Sequence, residues 1–309
     1  MNFDCRFAAA VAIALVAGMF APGTVFAQSA ASDAATKSDA PMPQKGLATK
    51  AIEAAKSAAS TASDILTRVP CLPAKGLKET PGALPHVAQR IAAGDPVTIV
   101  AFGSSTTVGY GTTSTAYTYP NRLADQLRRA FPTSDITIIN RGMGGQDVPD
   151  MMKRFDAAVL DANPGLVIWQ LGTNLVIKGS ESEVAASAAM VEDGIARLQA
   201  RGVDVVLIDP QYVPAVTAKE DNANSMVKLI GQVAKLKNVS VFPRFEIMRQ
   251  WHQDEKLPFD KFVIGDGLHM NDWGYACFAQ LLGDTIIASV GQVKAGINVP
   301  SNVMTFRPM

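Results

Sequence analysis

Short apolar runs alternate with longer amphipathic segments over most of the chain. Five of these runs consist of β-favouring residues and end in turn-forming residues; they lie at residues 96–102, 136–139, 166–171, 203–208 and 239–242. Short apolar runs of this kind are typical of buried strands in a parallel sheet. The pattern therefore predicts five parallel strands.

The segments around these runs carry apolar residues at helical spacing. They predict helices over residues 84–94, 119–131, 149–160, 181–200, 222–236, 247–252 and 273–290. Strands that alternate with helices in this way form right-handed βαβ units. We therefore expect an α/β fold in one domain over residues 82–292, with helices on both faces of the sheet.

Residues 1–27 are typical of a signal peptide. They contain Arg6, an apolar run over residues 7–20 and the sequence Val-Phe-Ala that ends at Ala27. The apolar run is shorter than a membrane-spanning helix, which needs about 20 apolar residues. We expect the segment to be removed and the mature protein to be periplasmic or secreted, with no integral membrane segment.

The segments that flank the predicted domain differ from it in composition. Residues 28–81 predict an Ala-, Ser- and Pro-rich linker that includes one helix, and residues 293–309 predict an irregular tail. If Cys5 leaves with the signal peptide, Cys71 and Cys277 remain in a compartment that permits oxidation. The sequence leaves open whether they form a disulfide or stay as thiols, and it does not indicate an oligomeric state.

The charge balance narrows the classes of partner. The 28 Lys and Arg residues equal the 28 Asp and Glu residues in number, and no basic stripe is present. Nucleic acids and anionic membrane surfaces attract proteins with a clear excess of positive charge. We therefore expect no nucleic-acid partner and favour a small-molecule or glycan substrate.

A serine follows the first predicted strand. The run over 96–102 ends abruptly in Gly103-Ser104-Ser105. In open α/β sheets, ligands bind beyond the carboxyl ends of the strands. Ser105 is therefore a candidate nucleophile, although a plain polar loop is the alternative interpretation of this stretch.

Two further polar stretches follow the second and third predicted strands. Residues 140–145 read Asn-Arg-Gly-Met-Gly-Gly, which fits neither a phosphate loop nor a dinucleotide fingerprint. An oxyanion donor around Gly145 and a tight turn remain as interpretations. The stretch Leu-Gly-Thr-Asn ends at Asn174, whose amide can donate to a developing oxyanion or simply form a turn.

A carboxylate and an imidazole lie close together near the end of the domain. Asp266 precedes His269 by one turn of chain, which suits a carboxylate that orients a general base. The other two histidines, His86 and His252, are interpreted as surface or packing residues. Three scattered histidines without a metal-ligand motif do not favour a metal site, so we expect no metal and no other cofactor.

Together, the four stretches resemble the SGNH hydrolase superfamily, also called the GDSL esterases and lipases. The resemblance covers the whole predicted domain and implies a three-layer α/β/α, flavodoxin-like fold. It implies that Ser105 is the nucleophile and that Asp266 and His269 complete a catalytic triad. It also implies an oxyanion hole formed by the backbone N–H of Ser105 with Gly145 and Asn174.

Two positions depart from the pattern of that superfamily. Ser104 stands where an Asp usually precedes the nucleophile, and Leu175 stands where an Asp often follows the Asn. Neither position carries the bond-making step, so we expect activity to survive. The loss of two carboxylates is expected to bear on substrate fit or on the pH optimum.

These features predict an exported serine esterase that acts on short acyl groups, of the acetyl type, on an envelope or extracellular glycan. Between Ser105 and His269, the sequence contains no long apolar insert of the kind that could form a lipase lid. Tyr110, Gln211 and Tyr212 are candidates for contact with sugars. The same triad would also serve a lipase, an arylesterase, a thioesterase or an acyltransferase, and a non-catalytic glycan-binding protein is the alternative from another class.

Overall fold

The computed structural model describes Cys71 and residues 84–294. This part of the chain contains a five-stranded, all-parallel sheet in the order β2-β1-β3-β4-β5. The strands are β1 Val97–Gly103, β2 Ile136–Gly142, β3 Leu166–Gln170, β4 Asp204–Ile208 and β5 Ser240–Phe242. This strand order is the flavodoxin-like one. The predicted fold class is therefore confirmed.

Eleven α-helices surround the sheet in the described part of the chain. They are α1 Pro85–Ala93, α2 Ser105–Val108, α3 Tyr119–Ala130, α4 Val148–Lys153, α5 Phe155–Ala158, α6 Thr173–Lys178, α7 Glu181–Gln199, α8 Pro214–Thr217, α9 Glu220–Lys237, α10 Arg244–Gln253 and α11 Asp272–Lys294. Short 3₁₀ turns lie at Thr115–Tyr117, Leu160–Ala162 and Phe259–Lys261. The helix α11 packs against α1 and α3, and α7 packs against α4 and α9. These two groups form the helical layers on either side of the sheet.

The predicted elements agree with the structure except at a few boundaries. The helix predicted over 149–160 is broken, because Arg154 leaves the helical conformation between α4 and α5. The strand β2 runs on to Gly142 because it pairs with the full length of β1. The helix α11 continues to Lys294, so the first two residues of the predicted tail are helical.

The centre of the sheet carries large buried rings. Phe102 on β1 lies in register with Trp169 on β3, and neither side chain is exposed to solvent. Phe155 of α5 packs on both rings, with centroid distances of 5.8 and 5.4 Å. This cluster lies just before the carboxyl ends of β1 and β3 and gives the loops beyond them a rigid base.

A disulfide joins Cys71 to Cys277 in α11, with the Cα atoms 5.4 Å apart. It answers the question that the sequence left open and ties the chain upstream of the predicted domain start at residue 82 to the last helix. The predicted signal peptide, the predicted linker apart from Cys71 and the tail beyond residue 294 lie outside the described residues. Among the described residues, no helix has both the length and the apolar character needed to cross a membrane.

Candidate active site

The turn from β1 into α2 presents Ser105 as the first residue of that helix. Gly103 is required before it, since a Cβ there would lie 2.3 Å from Thr107 Oγ1. Ser104 precedes the helix and is buried, and both its backbone N–H and its hydroxyl donate to Gln170 Oε1, each at 2.9 Å. Gln170 is itself buried at the end of β3. A buried amide oxygen thus fixes the turn that carries Ser105.

The structure brings Ser105, His269 and Asp266 into one hydrogen-bonded row. Nε2 of His269 lies 2.8 Å from Oγ of Ser105. Nδ1 of His269 lies 2.6 Å from Oδ2 of Asp266. The side chain of His269 is 12% exposed and that of Asp266 is 36% exposed, so this row lies at the surface, open to a ligand.

The loop that carries His269 is stabilised by Asp266, which lies in the same loop. Oδ1 of Asp266 accepts hydrogen bonds from the backbone N–H groups of Leu268 and His269, each at 2.9 Å. Partial burial raises the pKa of Asp266, but the hydrogen bonds from the His269 ring and from these two N–H groups outweigh it, so the pKa lies below its ordinary value. The carboxylate therefore stays ionised at neutral pH and can orient the ring.

The glycine-rich segment after β2 lies beside the turn that carries Ser105. The backbone N–H of Met143 donates to the carbonyl oxygen of Gly103 at 3.0 Å, and Asn140 Nδ2 donates to the carbonyl of Thr107 at 2.8 Å. Gly145 is exposed and has a φ of +76°, which favours glycine. No atom outside its neighbours lies within 4 Å of the point where a Cβ would project, so the space on that side of Gly145 is open.

The structure places Asn174 next to this segment. Asn174 is 8% exposed in the first turn of α6, and its Nδ2 donates to the carbonyl oxygen of Gln146 at 2.9 Å. The amide nitrogen of Asn carries two hydrogens, and this bond uses one of them. The side chain is thus anchored beside Gly145 with a second N–H available for a ligand.

These groups match the requirements of acyl transfer to a serine. A hydroxyl within hydrogen-bond reach of an imidazole, which is itself oriented by a carboxylate, can be deprotonated as it attacks a carbonyl. Amide and backbone N–H donors nearby can stabilise the oxyanion that results. The arrangement needs no metal, and no group of three or more potential metal ligands occurs in the part of the chain that the structure describes.

The three predicted sugar-contacting residues differ in their surroundings. The ring of Tyr110 is 58% exposed and its centroid lies 4.4 Å from that of His269, so the structure places it at the site. Gln211 is only 1% exposed, and its amide is used inside the protein. The prediction that Gln211 contacts a sugar is therefore wrong, because its side chain is almost fully enclosed and both of its polar atoms already bond to the protein.

Tyr212 belongs to an aromatic cluster. Its ring packs on Phe245 and Phe259, and its hydroxyl accepts a hydrogen bond from Gln253 at 2.9 Å. Within the described residues, no contact joins it to Ser105 or His269. A packing role accounts for these contacts.

The remaining histidines have structural partners. Nδ1 of His86 lies 2.7 Å from Oδ1 of the buried Asp204 at the start of β4. The ring of His252 stacks on Phe259 with centroids 3.9 Å apart, and its Nδ1 bonds to the carbonyl of Leu257. The interpretation of both as surface or packing residues is confirmed.

Sequence analysis missed several residues around the site. Val108 and Met143 are 45% and 50% exposed and flank the Ser105 turn, Val108 in α2 and Met143 just after β2. Arg154 donates to the carbonyl of Gly103 at 3.2 Å and to Gln146 Oε1 at 2.6 Å, and its guanidinium lies 4.5 Å above the Phe102 ring. No spacing signal could reveal Arg154, because its partner at Gly103 lies 51 residues away in the chain.

A family model matches most of the chain. A model of the Non-GDSL lipase-like family matches residues 70–292. No curated protein matches the chain.

Solved structures share the fold. A two-domain esterase active on acetylated mannans has 21% identity and a TM-score of 0.56, covering 68% of this chain and 55% of its own. A lipase/acylhydrolase from Enterococcus faecalis has 26% identity and a TM-score of 0.51, covering 62% of this chain and 96% of its own. A catalytic mutant of an acetylxylan esterase from Geobacillus stearothermophilus has 15% identity and a TM-score of 0.53, covering 63% and 94%. The chain thus spans about half the length of the two-domain esterase.

Proposed function

The chain belongs to the non-GDSL lipase-like family, and from that membership we propose that it is a serine esterase that uses Ser105, His269 and Asp266 to hydrolyse short acyl esters. The resemblance to the SGNH and GDSL esterases is confirmed, and the activity that we propose is that of a carboxylic ester hydrolase. The family description also suits Ser104, which occupies the place of the Asp in the GDSL pattern.

The observation that carries the proposal is the row of two hydrogen bonds at His269. In the proposed reaction, Ser105 Oγ attacks the ester carbonyl while His269 Nε2 takes the hydroxyl proton. The ionised Asp266 stabilises the imidazolium that forms. His269 then gives the proton to the leaving alcohol, and a water molecule hydrolyses the acyl-enzyme by the same route in reverse.

The proposed oxyanion hole consists of three N–H donors. The backbone N–H of Ser105 and that of Gly145 would provide two of them, and the second amide hydrogen of Asn174 would provide the third. The bond from Asn174 to the Gln146 carbonyl supports this role, since it fixes the amide next to Gly145. Donors that are fixed in advance lower the barrier without a cost of reorientation during the reaction.

We infer that the substrate is an acetylated glycan. Tyr110 lies against His269, the proposed general base, and an exposed aromatic ring there suits the face of a sugar. Val108 and Met143 add two exposed apolar side chains next to the turn that carries Ser105. Two of the structural neighbours are described as esterases of acetylated mannans and of acetylxylan, which agrees with the same substrate class.

We also propose that the mature protein is exported. The Cys71–Cys277 disulfide supports this, because disulfides persist in oxidising compartments such as the periplasm or the extracellular space. The sequence of residues 1–27 points the same way.

The proposal is tested with purified protein and a nitrophenyl acetate. We expect hydrolysis by the wild-type protein, a loss of at least about 10³-fold in kcat for Ser105→Ala, and full activity for Ser187→Ala, a control serine buried within α7. Acetate release from acetylated mannan and xylan oligosaccharides, compared with a series of longer acyl esters, then tests the substrate. Equal activity of Ser105→Ala and wild type would contradict the mechanism, and a preference for long acyl chains would favour a lipase.

A further inference from the structure

Gln211 lies between two loops of the site. It follows β4 by three residues and is 1% exposed. Its Oε1 accepts a hydrogen bond from Thr173 Oγ1 at 2.9 Å, and its Nε2 donates to the carbonyl oxygen of Leu268 at 3.2 Å. One buried amide therefore joins the start of α6 to the loop before α11.

Each partner of Gln211 is next to a residue of the proposed machinery. Thr173 directly precedes Asn174, the proposed oxyanion donor, and Leu268 directly precedes His269, the proposed general base. The bonds made by Gln211 thus end one residue away from the two groups that must act on the same tetrahedral centre.

The chemistry of the partners fixes the orientation of the amide. The carbonyl of Leu268 can only accept, so the NH₂ group of Gln211 must face it and the oxygen must face Thr173. Thr173 is 4% exposed, so its hydroxyl depends on this oxygen for a hydrogen-bond acceptor within the protein. A side chain without both a donor and an acceptor cannot make this connection.

The segment that follows Gln211 makes a second hydrogen bond to the loop before α11. The backbone N–H of Ala215 in α8 donates to the carbonyl of Gly267 at 3.0 Å. This bond holds the outer part of the loop, whereas Gln211 holds the residue beside His269. Only the Gln211 side chain connects the loop to Thr173 among the described hydrogen bonds.

We propose that Gln211 is a positioning residue that sets the separation between His269 and Asn174. This inference rests on the proposed ester hydrolysis. Since Gln211 is buried, it does not touch the substrate, and its loss is expected to change kcat and to leave KM nearly unchanged. Displacement of a reacting group by about 1 Å can cost about 100-fold in rate.

The test uses an isosteric apolar variant. Gln211→Met keeps the volume of the side chain and removes both hydrogen bonds, and we expect kcat for a nitrophenyl acetate to fall by about 10- to 100-fold with KM within about twofold of wild type. Thr173→Val removes one of the two bonds, and we expect a smaller fall. The double variant should be no slower than Gln211→Met, because both substitutions break the same connection.

A stability control separates positioning from general destabilisation. Val191→Ala removes buried apolar volume in α7, away from the site, and we expect it to lower the melting temperature without a change in kcat. If Gln211→Met does not fold, Thr173→Val is compared with Val191→Ala in its place. A fall in kcat for Thr173→Val that Val191→Ala does not show supports positioning, and an unchanged kcat in both overturns it.

The outcomes distinguish this inference from the proposed function. Wild-type protein without Ser105-dependent hydrolysis would overturn both. Wild-type hydrolysis together with an unchanged kcat in Gln211→Met, or with strictly multiplicative effects of the two substitutions, would overturn the positioning role alone.

Discussion

At the residue scale, His269 makes both hydrogen bonds on which the proposed chemistry depends. Its partner Asp266 has a lowered pKa, so the carboxylate becomes protonated only below the ordinary range of aspartate. The stabilisation that Asp266 gives is therefore present above that range and is lost as the pH falls through the lower, folded-state pKa. Because Asp266 is still ionised in mildly acidic solution, a loss of activity there is expected to come from a group other than Asp266.

Asn174 allows a direct test of the proposed oxyanion hole. Asn174→Ala removes the amide that is anchored on Gln146, and we expect kcat to fall by about 10²- to 10³-fold. KM should change little, because the lost bond forms mainly in the transition state. Steady-state kinetics on a short-chain ester measures both constants. A rise in KM with an unchanged kcat would assign Asn174 to ground-state binding instead.

At the element scale, the turn between β1 and α2 accommodates Ser104 where an Asp usually precedes the nucleophile in the superfamily pattern. Ser104 is buried and donates twice to the amide oxygen of Gln170. A carboxylate at position 104 would place a buried negative charge against that oxygen, which cannot donate to it. Ser104 and Gln170 therefore complement each other as hydrogen-bond donor and acceptor.

Restoring the superfamily residue is expected to harm the protein. Ser104→Asp should lower both the melting temperature and kcat, because the new carboxylate is desolvated and repelled by Gln170 Oε1. Ser104→Ala loses one hydrogen bond, worth about 1 kcal/mol, and should keep most of the activity. Thermal unfolding and ester kinetics of the two variants make the comparison. A Ser104→Asp variant as stable and as active as wild type would show that the pairing is not required.

The element scale also shows what could be predicted from the sequence. The five strands and the long helices follow from apolar periodicity, which extends over enough residues to be recognised. The helices α2, α6 and α8 were missed because four to six residues hold too little periodicity. All three lie at the carboxyl edge of the sheet, close to the residues that form the site.

At the scale of the whole molecule, the topology brings together residues that are far apart in the chain. Ser105 and His269 are separated by 164 positions, and Gln211 and Leu268 by 57. The sequence indicated Ser105, Asp266 and His269 because each lies in a recognisable stretch. It misassigned Gln211, since burial depends on the packing of β4 against its neighbours and is not visible in the local pattern.

The disulfide is expected to act on the stability of the whole fold. It links positions that are 206 residues apart, and loss of such a bond typically costs about 2–5 kcal/mol. Reduction, or Cys71→Ser together with Cys277→Ser, should lower the melting temperature and leave kcat at 25 °C nearly unchanged. Calorimetry with and without reductant measures the effect, with the double variant as the control that should not respond. Equal melting temperatures in both conditions would show that the bond adds no stability.

The central claim is that Ser105 carries the acyl group, and the most direct measurement is to trap that group. The protein is reacted with an organophosphate ester inhibitor, which phosphorylates an activated serine, and the modified peptide is located by mass spectrometry. Our account predicts one adduct on Ser105, no adduct in Ser105→Ala and a much slower reaction in His269→Ala. An adduct on Ser104 instead, or an active enzyme that remains unmodified, would contradict it.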